Sequence, residues 1–312
     1  MSICPICSDV TTKRFHCSVN LVWSTEYDLV ECLACGVLYF HPMPTKSELT
    51  RFYSAAYYTF DRSREEEAKG RWFAARLRRW KSMGTFLDVG CATGFFLHGI
   101  KTHSAWEVYG TEFGESAVQF ARERLGLNVT QGNLVDAHFP EAFFDYVHVN
   151  NVLEHVLDPM ALLKEVKRIV KPDGMFFLSV PNGFNDSRDL IKFYKLEHTP
   201  ARSKNGHLFF FPAPTLLLLF ERLGFAVEQK KTYHVKQGLR SLGYWPRKTH
   251  WKDPYFPRQI PENLTKSCIK IPDQKKKHTD FYYRLRFIQA NLRMLPGLRD
   301  FGLDFLFILR PS

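Results

Sequence analysis

One short run limits the fold more than any other. Thr85-Phe-Leu-Asp-Val89 reads as a buried strand, breaks at Gly90-Cys-Ala-Thr-Gly94 and passes directly into an apolar helix start at Phe95-Phe-Leu97. The spacing is D-x-G-x-A-x-G. Small residues at 90, 92 and 94 let the chain turn sharply and let a ligand approach the backbone. The turn is tighter than G-x-G-x-x-G, and Asp88 ahead of it would repel a pyrophosphate, so it suits a ligand carrying cationic groups. Strand and helix signals alternate around it from residue 84 to 233. Trp106–Glu112, Asn128–Gln131, Tyr146–Val149, Met175–Val180 and Phe225–Tyr233 read as further strands. Asp158 and Pro159 open one intervening helix, which Gly174 is expected to end. This alternation predicts a doubly wound α/β sheet, and 312 residues suffice for it with smaller attachments.

In such sheets ligands bind beyond the C-terminal ends of the strands. Glu112 ends the second strand, where a carboxylate accepts hydrogen bonds from adjacent ribose hydroxyls. Gly132-Asn133-Leu134 follows the third, where an amide meets a base edge. Asn150, Asn151, Glu154 and His155 follow the fourth.

These blocks together resemble the class I S-adenosylmethionine-dependent methyltransferases. The resemblance rests on Leu87 to Gly94, Gly110-Thr-Glu112, Phe144-Asp-Tyr-Val147, Val152-Leu-Glu-His-Val-Leu-Asp-Pro159, Leu162 to Val166, Lys171-Pro-Asp-Gly174 and His207 to Pro212. It implies a Rossmann-like seven-stranded sheet whose last strand, Leu303–Arg310, is antiparallel. It also implies that Asp88, Gly90, Cys91, Ala92, Gly94, Glu112, Asn133, Leu134 and Asn150 surround S-adenosylmethionine. Ala92 stands where glycine is usual, and Asn133 where aspartate is common.

In this family a methyl group leaves a sulfonium by in-line displacement, so the protein mainly positions and desolvates the reactants. A hydroxyl acceptor calls for a base. Glu154, His155 and His207 are the candidates for the catalytic role. Similar positions in ubiquinone-pathway O-methyltransferases and small-RNA 3′-end methyltransferases use Glu-x-x-Glu-His and a later His to hold a divalent metal. Here Asn151 replaces the first Glu and removes a charged ligand. The expectation is therefore His155 or His207 as base or acceptor-positioning group, against the alternative that they only cap a loop or orient backbone. His148, inside a strand, reads as a core residue.

Cys4-Pro-Ile-Cys7 and Cys32-Leu-Ala-Cys35 are two C-x-x-C knuckles that together supply four thiolates to a tetrahedral zinc ion. Four thiolates leave no open position, so this metal is expected to be structural. The arm resembles the zinc ribbon fused to many bacterial class I methyltransferases. Its cysteine usage and the lack of a secretory signal point to the cytoplasm.

Charge divides the chain. Residues 1–229 carry 25 basic and 26 acidic side chains, whereas residues 230–312 carry 18 and 6. The +11 of the whole chain thus belongs to its C-terminal part. Arg240, Arg247, Lys248, Lys252 and Arg258, with Tyr244, Trp245 and Trp251, would clamp an anionic or glycan-linked acceptor. Tyr282 to Leu298 would alternatively lie on an anionic membrane or nucleic acid as a basic amphipathic helix, and a plain solvated surface stands beside both. The near-neutral remainder disfavours nucleic acid as the sole partner. The expected plan is a zinc-ribbon-like lobe (1–44), a helical connector (45–83), the S-adenosylmethionine-binding core (84–233), a basic cap (234–302) and the final core strand (303–312). The expected activity is methyl transfer to a small-molecule or glycan-type hydroxyl. The alternatives are an RNA methyltransferase and a silent cofactor-binding interaction module.

Overall fold

The computed structural model describes residues 3–10, 13–21, 26–53, 62–203, 205–233 and 303–312. At the N-terminus β1 (Lys13–Leu21), β2 (Glu26–Cys32) and β3 (Leu38–His41) form an antiparallel meander. Alternation drives it: Cys17, Val19 and Leu21 of β1 are buried while the residues between them are partly exposed. Helix α1 (Lys46–Phe52) follows, with Thr45 and Glu48 forming a reciprocal capping box. Helix α2 (Ser63–Trp80) then leads to the large sheet.

That sheet is built from β4 (Thr85–Val89), α3 (Phe95–His103), β5 (Glu107–Glu112), α4 (Glu115–Leu125), β6 (Asn128–Gln131), β7 (Phe144–Asn150), α5 (Pro159–Ile169) and β8 (Val170–Pro181). Next come α6 (Gly183–Glu197), β9 (Ala201–Ser203), β10 (Phe209–Phe210), α7 (Ala213–Arg222), β11 (Phe225–Tyr233) and β12 (Asp304–Pro311). The strand order is β11-β12-β8-β7-β4-β5-β6, with β12 antiparallel to both neighbours and β4 to β8 mutually parallel. This is the expected seven-stranded Rossmann-like sheet with its antiparallel last strand. Six of the seven residues of β7 are buried, as a central parallel strand covered on both faces requires. Helices α2 and α3 cross closely because Gly70 and Gly99 face each other; a Cβ on Gly70 would lie 2.1 Å from the Phe96 carbonyl oxygen.

Several local expectations change. Helix α5 begins as expected, with the Asp158 carboxylate accepting the Ala161 amide at 2.8 Å and Pro159 at its first position. It ends at Ile169 rather than at Gly174, because Val170 is already extended and pairs with Phe144. The pattern also gave no sign of α6, β9 or β10. Strands of three and two residues are too short to show alternation, and these exist by pairing with β1 and β3.

They matter because they complete a second sheet, β10-β3-β2-β1-β9. The N-terminal meander is therefore held between strands donated from residues 201–210. Phe40, Phe209, Phe210, Phe211, Leu216 and Phe220 belong to one buried cluster that runs from this sheet into the large one. Thr215 at the start of α7 donates its hydroxyl to the Cys35 carbonyl at 2.5 Å.

The basic stretch 234–302, including the expected clamp residues and the Tyr282–Leu298 segment, lies outside the described residues. Its two ends are described. Leu303 donates its amide to the Tyr233 carbonyl and accepts from the Asn182 amide, so the chain departs and returns beside the C-terminal end of β8. Among the described residues no helix is long and apolar enough to cross a membrane.

Candidate active site

The glycine loop is shaped as its residue sizes demand. Gly90, Ala92 and Gly94 have φ of 69°, 49° and 82°, all left-handed. A Cβ on Gly90 would stand 2.6 Å from Val152, so glycine is required there on steric grounds as well. Ala92 is in a conformation that costs an L-residue roughly 1 kcal/mol. Its amide is held by Glu112 Oε2 at 2.9 Å, while the amides of Gly90 and Cys91 both donate to the Thr111 carbonyl. The loop is thus tied to the end of β5 at three points, and it leaves a small-residue cradle that fits a nucleoside ligand.

The expected cofactor residues gather at one end of the sheet, with differences in what they touch. Glu112 is 7% exposed, and its Oε1 also accepts the amides of Phe113 and Gly114 at 2.6 and 2.9 Å. Asp88 does not simply face a ligand: it is buried, and its Oδ1 lies 2.7 Å from Nδ1 of His148, its register partner on β7. His148 is stacked against Phe96 and Phe177, so it is the core residue expected. Leu134 is buried, Asn133 donates to Asp136 at 3.2 Å, and Asn150 is the exposed last residue of β7. Cys91 is buried beneath the loop, and burial raises its thiol well above the ordinary range.

Beside this cradle Glu154, His155 and His207 converge, each offering an atom within 4.8 Å of the others. The loop after β7 delivers the first two, and its position is fixed when the Glu154 carbonyl accepts the amides of Leu208 and Phe209. That same contact brings His207 in from between β9 and β10. Each imidazole is oriented through Nδ1. His207 Nδ1 lies 2.6 Å from Asp186 Oδ2 of α6, and His155 Nδ1 lies 3.1 Å from the Gly206 carbonyl and 2.9 Å from the Tyr53 hydroxyl. Both Nε2 atoms face Glu154 Oε1, at 3.6 Å for His155 and 4.0 Å for His207.

Glu154 is 1% exposed, and among the described residues neither carboxylate oxygen has a hydrogen-bond partner. Such a group is costly unless it is protonated or meets a cation. Burial raises its acid to about 8, with only partial opposition from His207. Burial, reinforced by the neighbouring His207, lowers His155 to about 3. Burial also pulls on His207, but the Asp186 carboxylate and its hydrogen bond outweigh this and leave it raised. Two imidazole nitrogens and an orphaned carboxylate form a donor set suited to a divalent cation. Asn151, which replaces the first acidic ligand of the resembled motif, is exposed with φ 53°.

Sequence reasoning missed Asp186, Gly206 and Tyr53. Asp186 follows Asn182, whose side chain caps α6, but nothing in that run indicates that its carboxylate meets a histidine 21 residues on. Tyr53 stands in an aromatic pair with Phe52, a signal that was visible without a destination.

In the N-terminal lobe the four expected thiols also converge, within 4.8 Å of one another. Cys4 and Cys35 sulfurs are 3.8 Å apart, and those of Cys7 and Cys32 are 3.7 Å apart. A tetrahedron with Zn–S bonds of about 2.3 Å has edges of about 3.8 Å. No disulfide joins these cysteines. The donor set fits zinc.

A parallel sheet extended by an antiparallel β12, with a glycine loop after β4 and an acid ending β5, defines the class I methyltransferase architecture. Residues 60–230 match a family model described as a methyltransferase domain. A ubiquinone biosynthesis O-methyltransferase of Neisseria meningitidis is 30% identical over 165 residues, covering 48% of this chain and 67% of that protein. A probable S-adenosylmethionine-dependent methyltransferase of Mycolicibacterium smegmatis is 31% identical over 159 residues, covering 50% and 57%. A demethylmenaquinone methyltransferase of Geobacillus is 32% identical over 96 residues, covering 28% and 41%. Among solved structures, an S-adenosylmethionine-dependent methyltransferase from Archaeoglobus fulgidus aligns at 22% identity and TM-score 0.43, over 77% of this chain and 93% of that one. The chain belongs to the methyltransferase domain family and is a class I S-adenosylmethionine-dependent methyltransferase.

Proposed function

We propose that this enzyme methylates a hydroxyl oxygen of a small-molecule acceptor, with Glu154, His155 and His207 acting at that oxygen. The observation that carries the reading is the orphaned Glu154 carboxylate, faced by two Nε2 atoms at the ligand end of the sheet. Asp88, the loop from Gly90 to Gly94, Glu112, Asn133, Leu134 and Asn150 surround the cofactor site. When bound, S-adenosylmethionine supplies a methyl group already activated on a sulfonium.

The chain's own residues then do three things. The loop and Glu112 fix the ribose end. The Asp186 carboxylate accepts from His207 Nδ1–H and favours its charged form, which leaves Nε2 directed inward to take the acceptor's proton as the O–H bond breaks. The Gly206 carbonyl accepts from His155 Nδ1–H, and this neutral imidazole positions the acceptor oxygen through Nε2. A divalent cation, if held by Glu154, His155 and His207 through those Nε2 atoms, would take the place of the imidazole base and lower the pKa of the acceptor hydroxyl. In the N-terminal lobe Cys4, Cys7, Cys32 and Cys35 would hold a structural zinc that contributes folding energy.

The quinone-pathway names of the relatives support a small acceptor, and the basic excess after residue 230 supports an anionic one held near the site. The zinc-ribbon-like lobe, the core, the basic cap and a cytoplasmic setting form the rest of this reading. The test is incubation with methyl-labelled cofactor and fractionated cell extract, for the wild type and for Glu154→Gln. Label is expected in an alkali-stable, small organic fraction with the wild type and is lost with the variant. Label in RNA, or equal transfer by both proteins, would overturn the reading.

A further inference from the structure

The first helix of the connector, directly after the N-terminal lobe, ends in a residue that touches the candidate catalytic cluster. Tyr53 caps α1, and its hydroxyl lies 2.9 Å from His155 Nδ1. Its ring stands edge-on to His155 at 6.2 Å and to Phe113, the neighbour of Glu112, at the same distance. The preceding Phe52 occupies the space a side chain at Gly206 would need, since a Cβ there would fall 2.5 Å from the Phe52 ring. Gly206, with φ 70°, presents the other acceptor for His155 Nδ1. Both supports of this imidazole therefore depend on two consecutive residues at the C-terminal end of α1. That helix is in turn anchored to the lobe sheet, where the Tyr27 hydroxyl donates to Glu48 at 2.6 Å.

We infer that Tyr53 is a positioning residue for His155, through which the N-terminal lobe sets the tautomer and direction of the imidazole. This rests on the reading of His155 as an acceptor-side group. The Gly206 oxygen can only accept, so Nδ1 carries the hydrogen and the Tyr53 oxygen is its second acceptor. The pair of acceptors keeps hydrogen off Nε2, the atom directed at Glu154. The lobe is thus part of the active site's construction rather than a separate binding module.

The test uses the full chain labelled with ¹⁵N-histidine, with EDTA present, and compares wild type, Tyr53→Phe and His155→Ala. The resonances absent from His155→Ala identify the imidazole. In the wild type its ¹⁵N shifts are expected at the values of an Nδ1–H tautomer. In Tyr53→Phe they move towards those of a mixed tautomer, with thermal stability and S-adenosylhomocysteine affinity unchanged within twofold. Methyl transfer into extract falls about tenfold. Unchanged His155 shifts in Tyr53→Phe overturn the inference, as does an Nε2–H tautomer in the wild type. Full transfer by His155→Ala instead overturns the functional reading, and the shifts still report on Tyr53 alone.

Discussion

Among the described residues the molecule holds two clusters of metal-ligand type, and they are built in opposite ways. Cys4 and Cys7 come from a turn before β1, and Cys32 and Cys35 from the end of β2 and the turn after it, so two local knuckles beside one small sheet supply most of their convergence. Glu154, His155 and His207 come from two segments some fifty residues apart, joined where residues 206–210 return past the loop after β7. The thiol cluster offers four donors, two pairs of them at the edge length of a zinc tetrahedron. The carboxylate–imidazole cluster has three donors, and among the described residues its buried carboxylate oxygens lack hydrogen-bond partners. The first geometry suits a metal that holds a fold, and the second suits a site that meets a substrate. The contrast shows that ligand chemistry alone does not assign a role; the number of donors and what lies beside them do.

The strongest way to break this contrast is at the lobe. Cys32→Ser is expected to abolish bound zinc and to cost about 4 kcal/mol or more of stability, since loss of a structural metal belongs with the largest single-residue effects. Metal analysis and thermal unfolding check it; retained stability would make the thiols incidental.

At the other cluster, Glu154→Gln is expected to lower methyl transfer by about 10²-fold or more. It should also change stability in a pH-dependent direction. With Glu154 raised to about 8 in the folded chain, the native state binds more protons than the unfolded one between its ordinary value of 4.5 and 8. Wild-type stability in EDTA therefore falls as pH rises through that window. At pH 9 Glu154→Gln should exceed the wild type by on the order of 2–4 kcal/mol, and at pH 4 the two should coincide. Urea titrations at both pH values measure this. Added Mg²⁺ or Mn²⁺ should close the gap by stabilising the wild type alone, and no such effect would remove the cation from the comparison.

Smaller changes sharpen the picture. Asp186→Asn takes the charged partner from His207, and turnover is expected to fall about tenfold with cofactor affinity unchanged, as isothermal titration would show. Ala92→Gly should add up to about 1 kcal/mol by relieving the left-handed alanine, read as a small rise in the unfolding midpoint.

Much of the core was legible because it is written in local pattern. The loop from Asp88 to Gly94, the strand end at Glu112, the Asp158-Pro159 helix start and strand β11 all follow from neighbouring residues and their periodicity. So does the lobe's thiol set, whose spacing is a local property. The helix end after Ile169 was misread, because a β-pairing partner on β7 draws Val170 into extended conformation before the glycine is reached. Asp88 shows the same limit at a site residue: its type fitted a ligand-facing acid, while its register opposite His148 gives it a partner within the sheet.

The sequence by itself determined which residue types could serve, since backbone shape and ligand chemistry are carried by side-chain size and charge over a few positions. Only the tertiary structure decided who meets whom. The pairing of β9 and β10 with the lobe, the meeting of Asp186 with His207, and the reach of Tyr53 to His155 all join segments distant in the chain. Their distances depend on packing one buried cluster between two sheets, which no local spacing encodes.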